Sequence, residues 1–252
     1  MHILRTRINK DIVCEFLPPV RRTISAKPTQ KVIILCGGMP TYPGKHAVPE
    51  FLANEGYWVF IPRYRGSWES GGKFLAVSPH QDVLDIIDQL PKGFRELWSG
   101  KIYKITEPEI YLIGSSFGGA AVILASRDAY VKKAIALSPV IDWRVETKNE
   151  PVNKLRKFTK EAFGEAYRFT EEDWKKLKSG TFYNPMHEAT SIDGNKLLII
   201  HAKDDKTVYA RTSMSFSKMT GTKLILLNKG GHLSISQTMM PKIWKEIKKF
   251  WG

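Results

Sequence analysis

The chain has only two cysteines in 252 residues, Cys14 and Cys36. That excludes a disulfide framework and any thiolate metal-ligand spacing. Cys36 ends the apolar run KVIILC and is expected as a buried strand thiol. A chain that makes no use of disulfides suits a reducing, cytoplasmic compartment. No stretch of 18 apolar residues occurs, so no membrane-spanning helix is expected. The opening MHILRTRINKD lacks the apolar segment of a secretory signal. Histidines and carboxylates nowhere cluster at metal-ligand spacing. Internal repeats, low-complexity linkers and nucleic-acid-binding motifs are also missing, so no nucleic-acid partner is expected.

Acidic side chains are in short supply: 39 Lys and Arg face 25 Asp and Glu, a formal net charge of +14. The excess sits at the two ends. Residues 1–31 carry seven basic against two acidic side chains, and residues 191–252 carry eleven against four. The closing PKIWKEIKKFWG alone holds four lysines. A solvated basic face accounts for this pattern; the sharper alternative is binding to an acidic partner. With 42% hydrophobic residues, the chain can build one sizeable core.

Apolar runs alternate with amphipathic ones, the sign of an α/β protein. HILRTRI and IVCEFL flank Asn9-Lys10-Asp11 and predict an opening hairpin. Residues 18–30 read as a loop or irregular strand. Buried strands are expected at KVIILC (31–36), YWVFIP (57–62), EIYLIG (109–114), KKAIALS (132–138), KLLIIHA (196–202) and KLILLN (223–228). Helices are expected around 46–55, over 78–90, from 116 to about 127 and over 241–251. Ser78-Pro79 offers the second of these a cap and a first-turn proline. Its buried face would be Val83, Ile86, Ile87 and Leu90. Residues 142–190 break the rhythm. They hold no strand-like run, eight aromatics, and ten basic against nine acidic side chains. They predict a helical insertion lying over the sheet, within a single domain spanning 1–252.

The stretch IGSSFGGA contains Gly114-x-Ser116-x-Gly118. This chain's glycine and serine content would produce such a pattern by accident about 0.1 times, so the pattern alone is only suggestive. Its context is stronger: a strand precedes it and a small-residue helix follows. A nucleophile on so sharp a turn needs small neighbours two residues away, and Gly114 and Gly118 meet that need. Ser115 occupies the spacer position. A serine hydroxyl also needs a base, and the base needs an acid to orient it. HAKDDKTV (201–208) follows one late strand and GGH (230–232) follows the next. The 27 residues from Asp205 to His232 leave room for one helix and one strand. All three groups would then reach the carboxyl edge of the sheet, where ligands bind in open α/β folds. Asp204 and Asp205 compete as the acid, with Asp205 preferred. His201 reads as a stabiliser of the aspartate loop, and His2, His46, His80 and His187 fall outside the triad order. Oxyanion donors are expected from the Phe117 N–H and from CGGMP (36–40), where Gly38 and Met39 both qualify. A plain glycine turn is the alternative reading of that loop.

These segments resemble an α/β-hydrolase, specifically the prolyl oligopeptidase-like branch. GYWVFIPRYRGSWESGG (56–72) is similar to that branch's strand and "YRGS" turn, and IGSSFGGA to its nucleophile elbow. HAKDDKTV is similar to its H-G-x-x-D-x-x-V segment, which places the acid on Asp205 with Ala202 in place of a glycine. GGH is similar to its histidine loop. The resemblance implies a mostly parallel central sheet of about eight strands flanked by helices, and no metal or organic cofactor. Two departures stand out. About 30 residues precede the first matching strand, too few for the propeller of the family's oligopeptidases. Cys36 stands where some relatives place an oxyanion-binding tyrosine.

The function so implied is a serine hydrolase with Ser116, Asp205 and His232 as its triad, acting on a small ester or a short peptide. A freestanding esterase is expected, with a small peptidase or acyl-peptide hydrolase as the alternative, and a monomer or homodimer as the assembly. From other classes, an acyltransferase uses the same machinery, and a non-catalytic module would use the basic ends. The insertion is expected to roof the site, with Trp143 among the aromatics that line an acyl pocket or pack the core. Arg63 and Arg65 are candidates for an anionic substrate group, with loop solvation as the plain alternative.

Overall fold

Strands rich in Val, Ile and Leu with no polar face must be covered on both sides, and such strands occupy the middle of parallel sheets. The computed structural model, which describes residues 2–20, 29–44 and 46–252, places KVIILC and EIYLIG there. Its strands are β1 (Leu4–Ile8), β2 (Ile12–Leu17), β3 (Lys31–Cys36), β4 (Trp58–Pro62), β5 (Phe94–Arg95), β6 (Ile102–Tyr103), β7 (Glu109–Ser115), β8 (Val131–Leu137), β9 (Leu197–Ala202) and β10 (Lys223–Leu227). Eight of them form one sheet in the order β1-β2-β4-β3-β7-β8-β9-β10. β1 and β2 make the expected hairpin, and β2 runs antiparallel to β4. From β4 to β10 every pairing is parallel.

The period-2 alternation of strand side chains sorts the core into two layers. Val32, Ile34, Ile110, Leu112, Ala134 and Ala136 face one way. Ile33, Leu35, Ile113, Ile135 and Leu137 face the other. Helices α2 (His80–Gln89), α3 (Phe117–Ala125) and α6 (Ala210–Thr220) cover the first face. Helices α1 (Ala47–Asn54) and α7 (Pro241–Trp251) cover the second. The third, FGGAAVILA, is apolar all round because it is buried all round. Two further helices, α4 (Val152–Phe163) and α5 (Glu171–Lys175), lie within residues 142–190. Trp143, Leu155, Tyr167, Trp174 and Tyr183 from that segment extend the first-face core.

Two local features differ from the sequence reading, and one reading falls outside the described residues. Ser78 does not cap α2; its hydroxyl meets Nδ1 of His80 at 2.7 Å, and the helix begins at His80. The β5–β6 pair was not expected, since two-residue strands carry no readable periodicity. It adds to the outer edge of the sheet through a Thr6–Glu96 bridge and a Leu97 N–H to Arg5 carbonyl bond of 2.8 Å. Covering an edge strand in this way blocks pairing with another chain. Of the loop read over 18–30, residues 21–28 lie outside the described residues.

Candidate active site

Ser116 lies between the last residue of β7 and the first of α3, at φ 54° and ψ −119°. An L-residue in such a region stores on the order of 1–3 kcal/mol unless its surroundings enforce it. Here they do. Its N–H donates to the Leu137 carbonyl (3.0 Å), and its carbonyl accepts from the N–H groups of Gly119 (3.0 Å) and Val140 (3.1 Å). The turn leaves no space for flanking side chains. A Cβ on Gly114 would collide with the Gly118 carbonyl, and one on Gly118 with the Cys36 carbonyl. The glycine spacing read from the sequence is thus a steric necessity. Phe117, as the first helical residue, has an N–H without an intrahelical acceptor. Its carbonyl is held by the Tyr183 hydroxyl at 2.6 Å. Gly38 passes close by: a Cβ there would lie 3.4 Å from Ser116 Cβ and 3.9 Å from Oγ. Met39 is buried beside it.

The acid and histidine follow β9 and β10, at the same sheet edge. Asp205 is buried, and its Oδ2 accepts from His232 Nδ1 at 2.8 Å. Oδ2 also lies 3.1 Å from His201 Nε2, while Oδ1 accepts from the backbone N–H groups of Thr207 (2.8 Å) and Val208 (3.0 Å). Burial alone would raise this carboxyl's pKa. The hydrogen bonds from His201, His232 and Val208 outweigh burial and hold it well below the ordinary carboxylate range. His201 is fully buried between Asp205 and the Ser213 hydroxyl (2.8 Å), a support beneath the acid. Asp204 is exposed, but it is not idle. Its Oδ1 accepts from the Gly231 N–H at 2.9 Å and so steadies the histidine loop. The Leu233 N–H donates to the Ser138 hydroxyl (3.1 Å), and the Ser138 N–H to the Ile200 carbonyl (2.9 Å). These bonds tie that loop to the end of β8 and, through it, to β9.

Two clefts meet the elbow. One, of about 570 Å³ including its open mouth, brings Ser116, Phe117 and Met39 together with Trp143, Val145, Glu150, Val152 and Leu155. Trp143 is buried there, donating to the Tyr183 carbonyl (2.8 Å) and packing edge-on against Phe117. The other cleft, of about 1380 Å³ on the same measure, runs past Gly37, Gly38 and Ser115 to Tyr42, Trp68 and Ser234–Ser236. Residues 142–190 are fastened to the segments that follow β3 and β4. Trp68 N–H donates to the Ala166 carbonyl (2.8 Å), Phe74 N–H to that of Arg168 (2.6 Å), and Thr41 N–H to the Tyr167 hydroxyl (3.0 Å).

Arg63 and Arg65 are corrected: neither guanidinium is free for an anion. Arg63 is buried and pairs with Glu15 (2.8 Å) and Glu69 (2.6 Å). Arg65 pairs with Asp82 and Asp85. Their carboxylate partners are spread from Asp11 to Asp85, and no spacing rule pairs them. Tyr183 and Ser213, which touch Phe117 and His201, and Glu150, which lines the cleft of Ser116, were missed by the sequence reading; none carries a local signal. Cys14 and Cys36 are buried and unpaired, and burial pushes the Cys36 thiol up to about 12. Among the described residues, no group of three His, Cys, Asp or Glu side chains is placed to hold a metal ion. No described helix is long and apolar enough to cross a membrane.

The model of the prolyl oligopeptidase family matches residues 45–251. Solved structures similar to this one include the Pyrococcus furiosus esterase Pf2001, with 18% identity, TM-score 0.63, and 100% of this chain and 91% of that one covered. The ferulic-acid-bound Est1E of Butyrivibrio proteoclasticus matches at 19% identity and TM-score 0.62, covering 98% of this chain and 96% of that one. The acylaminoacyl peptidase of Pyrococcus horikoshii matches at 19% identity and TM-score 0.60, covering 99% of this chain but 40% of the peptidase. At such low identity each likeness shows a shared fold and nothing finer. No curated protein matches the sequence.

Proposed function

The chain belongs to the prolyl oligopeptidase family and is a serine hydrolase; from that premise we propose that it cleaves carboxylic esters through an acyl-enzyme on Ser116. His232 Nε2 takes the hydroxyl proton of Ser116, and Oγ attacks the ester carbonyl carbon. The oxyanion so formed accepts from the Phe117 N–H and from Gly38 or Met39. His232 then passes its proton to the departing alcohol. Water, activated by the same histidine, releases the acid and restores Ser116. Asp205 holds His232 in the Nδ1–H tautomer and stabilises its imidazolium. The observation that carries this reading is the 2.8 Å Asp205–His232 contact on a carboxylate immobilised by three further partners.

Esters are preferred to amides because of Cys36. In the position of the relatives' tyrosine stands a buried thiol, a weak hydrogen-bond donor. With backbone donors alone, the oxyanion is less stabilised, and the easier leaving group of an ester suits that site. Residues 142–190 act as the cap, and the cleft beneath them takes the acyl group. The larger cleft, lined by Ser234–Ser236 just after His232, takes the alcohol. Two unpaired buried thiols suit a cytoplasmic setting.

The test is fluorophosphonate labelling with the modified residue located by mass spectrometry, beside kinetics on p-nitrophenyl esters of increasing chain length. Labelling at Ser116 that disappears in Ser116→Ala and His232→Ala is the expected result. A folded protein left unlabelled between pH 6 and 9 would sink the proposal. Aminoacyl amides cleaved as fast as matched esters would replace it with a small peptidase.

A further inference from the structure

The cleft that holds Ser116 is lined by three carboxylates, and they differ in what they face. Asp142 accepts from the Arg144 guanidinium (2.8 Å) and from the Asn184 amide (3.0 Å). Glu146 pairs with Lys178 at 2.8 Å. Glu150 lines the same wall, with its N–H fixed to the Thr147 hydroxyl (3.1 Å), yet no described residue donates a hydrogen bond to its carboxylate. It is half-buried. The charges it feels are those of His232, Asp205 and Lys154, and the Lys154 ammonium donates to the Asn149 carbonyl at 3.2 Å. Burial pushes its pKa up, as expected of a carboxylate that has lost water and gained no donor.

The walls around Glu150 are apolar. Trp143, Val145, Val152 and Leu155 line the same cleft as Glu150 and Ser116. An apolar stem ending in a carboxylate is the complement of a methylene chain ending in an ammonium, which keeps its stem on apolar surface and its charge on the acid. The chain as a whole carries a formal net charge of +14, so attraction for a cationic substrate has to come from a local acidic group such as this one.

We propose that Glu150 is the specificity-determining residue on the acyl side of the site, receiving the ammonium of an acyl chain whose carbonyl reaches Ser116. The inference rests on the esterase reading above.

The experiment compares kcat/KM for the p-nitrophenyl esters of 6-aminohexanoic and heptanoic acids, near-isosteres that differ in charge. The wild-type protein should favour the ammonium ester by about 10-fold, a typical yield for one partly desolvated charge pair. Glu150→Gln should cut that preference by a similar factor, acting through KM. Fluorophosphonate labelling of Ser116 in the same samples separates the two readings. Labelled Ser116 with an unchanged ester ratio overturns the role of Glu150 alone, whereas an unlabelled wild-type protein overturns the reading beneath it. Equal losses on both esters, with a displaced pH profile, would make Glu150 a positioning residue for His232 and also overturn the inference. If Glu150→Gln does not fold, the wild type gives a second answer. Hexylammonium should protect Ser116 from the probe at lower concentration than hexanol; equal protection overturns the proposal.

Discussion

Ser116 and Gly164 share a backbone conformation. The first sits at φ 54° and ψ −119°, the second at φ 48° and ψ −125°. In the insertion, where α4 ends, the position is filled by glycine, which adopts it without steric cost. At the elbow it is filled by serine, and the strain is held by three backbone hydrogen bonds and by glycines whose neighbours touch them. Around Gly164 a Cβ would meet nothing within 4 Å. The same geometry is thus a chain reversal in one region and a forced presentation of a hydroxyl in the other. Strain persists where its surroundings over-determine it, and such places are where chemistry is found.

Substitutions can break this contrast at either end. Ser116→Ala should lower kcat/KM on esters by roughly 10⁴-fold or more while leaving the fold intact. Ser116→Gly should do the same and raise Tm, because glycine relieves the strain; a lowered Tm would mean the elbow is not strained. Asp205→Asn should cost roughly 10³–10⁴-fold in kcat through loss of the histidine's tautomer and orientation. Its effect on stability carries a pH signature. The folded carboxyl is held below its ordinary range, so its stabilisation is complete above the unfolded pKa of about 3.9 and is lost as pH falls through the folded value. The gap between the urea midpoints of wild type and Asp205→Asn should therefore be full at pH 6 and begin to narrow below about pH 4. A constant gap would show that Asp205 does not titrate as described.

The next effects are in packing. Gly118→Ala should destabilise by about 4 kcal/mol or more, since the added methyl meets the backbone of Cys36 and nothing flexible can yield. Trp143→Ala should cost about 3 kcal/mol by unpacking Phe117 and Tyr183, and should move the ester preference toward longer acyl chains. Gly164→Ala should cost less, about 1–3 kcal/mol, from the backbone angle alone. Chemical denaturation orders the three. If Gly164→Ala proved as damaging as Gly118→Ala, the distinction between crowded elbow and open reversal would fail.

The elbow was legible in the sequence because its determinants are local. A strand, a turn and a helix occupy 17 consecutive residues from Glu109 to Ala125, and the glycines that permit the turn lie two residues either side of Ser116. The strand order was legible only as a class: buried runs imply a parallel sheet, and the hairpin at Asn9–Asp11 implies an antiparallel edge. The insertion was legible as helical and aromatic, but not in its attachments. Those run from Ala166 and Arg168 to Trp68 and Phe74, across about a hundred residues of chain. Arg63 and Arg65 show the same limit. An arginine near a sheet edge looks free until the acids that reach it are known, and here those acids come from β2, the loop after β4, and α2.

What the sequence alone determined is the alternation of buried strands with covering helices, the turn at Ser116, and the chain order of Ser116, Asp205 and His232. Each depends on periodicity or on neighbours within a few residues. Tertiary structure decided the rest: that Asp205 is pinned by His201 and two backbone amides, that Asp204 braces the histidine loop, and that Glu150, in the cleft that Ser116 also lines, has no donor among the described residues. These depend on which surfaces meet once the chain closes. A side chain's charge state and availability follow from the partners and water left around it, and those are properties of the packed molecule rather than of the residue.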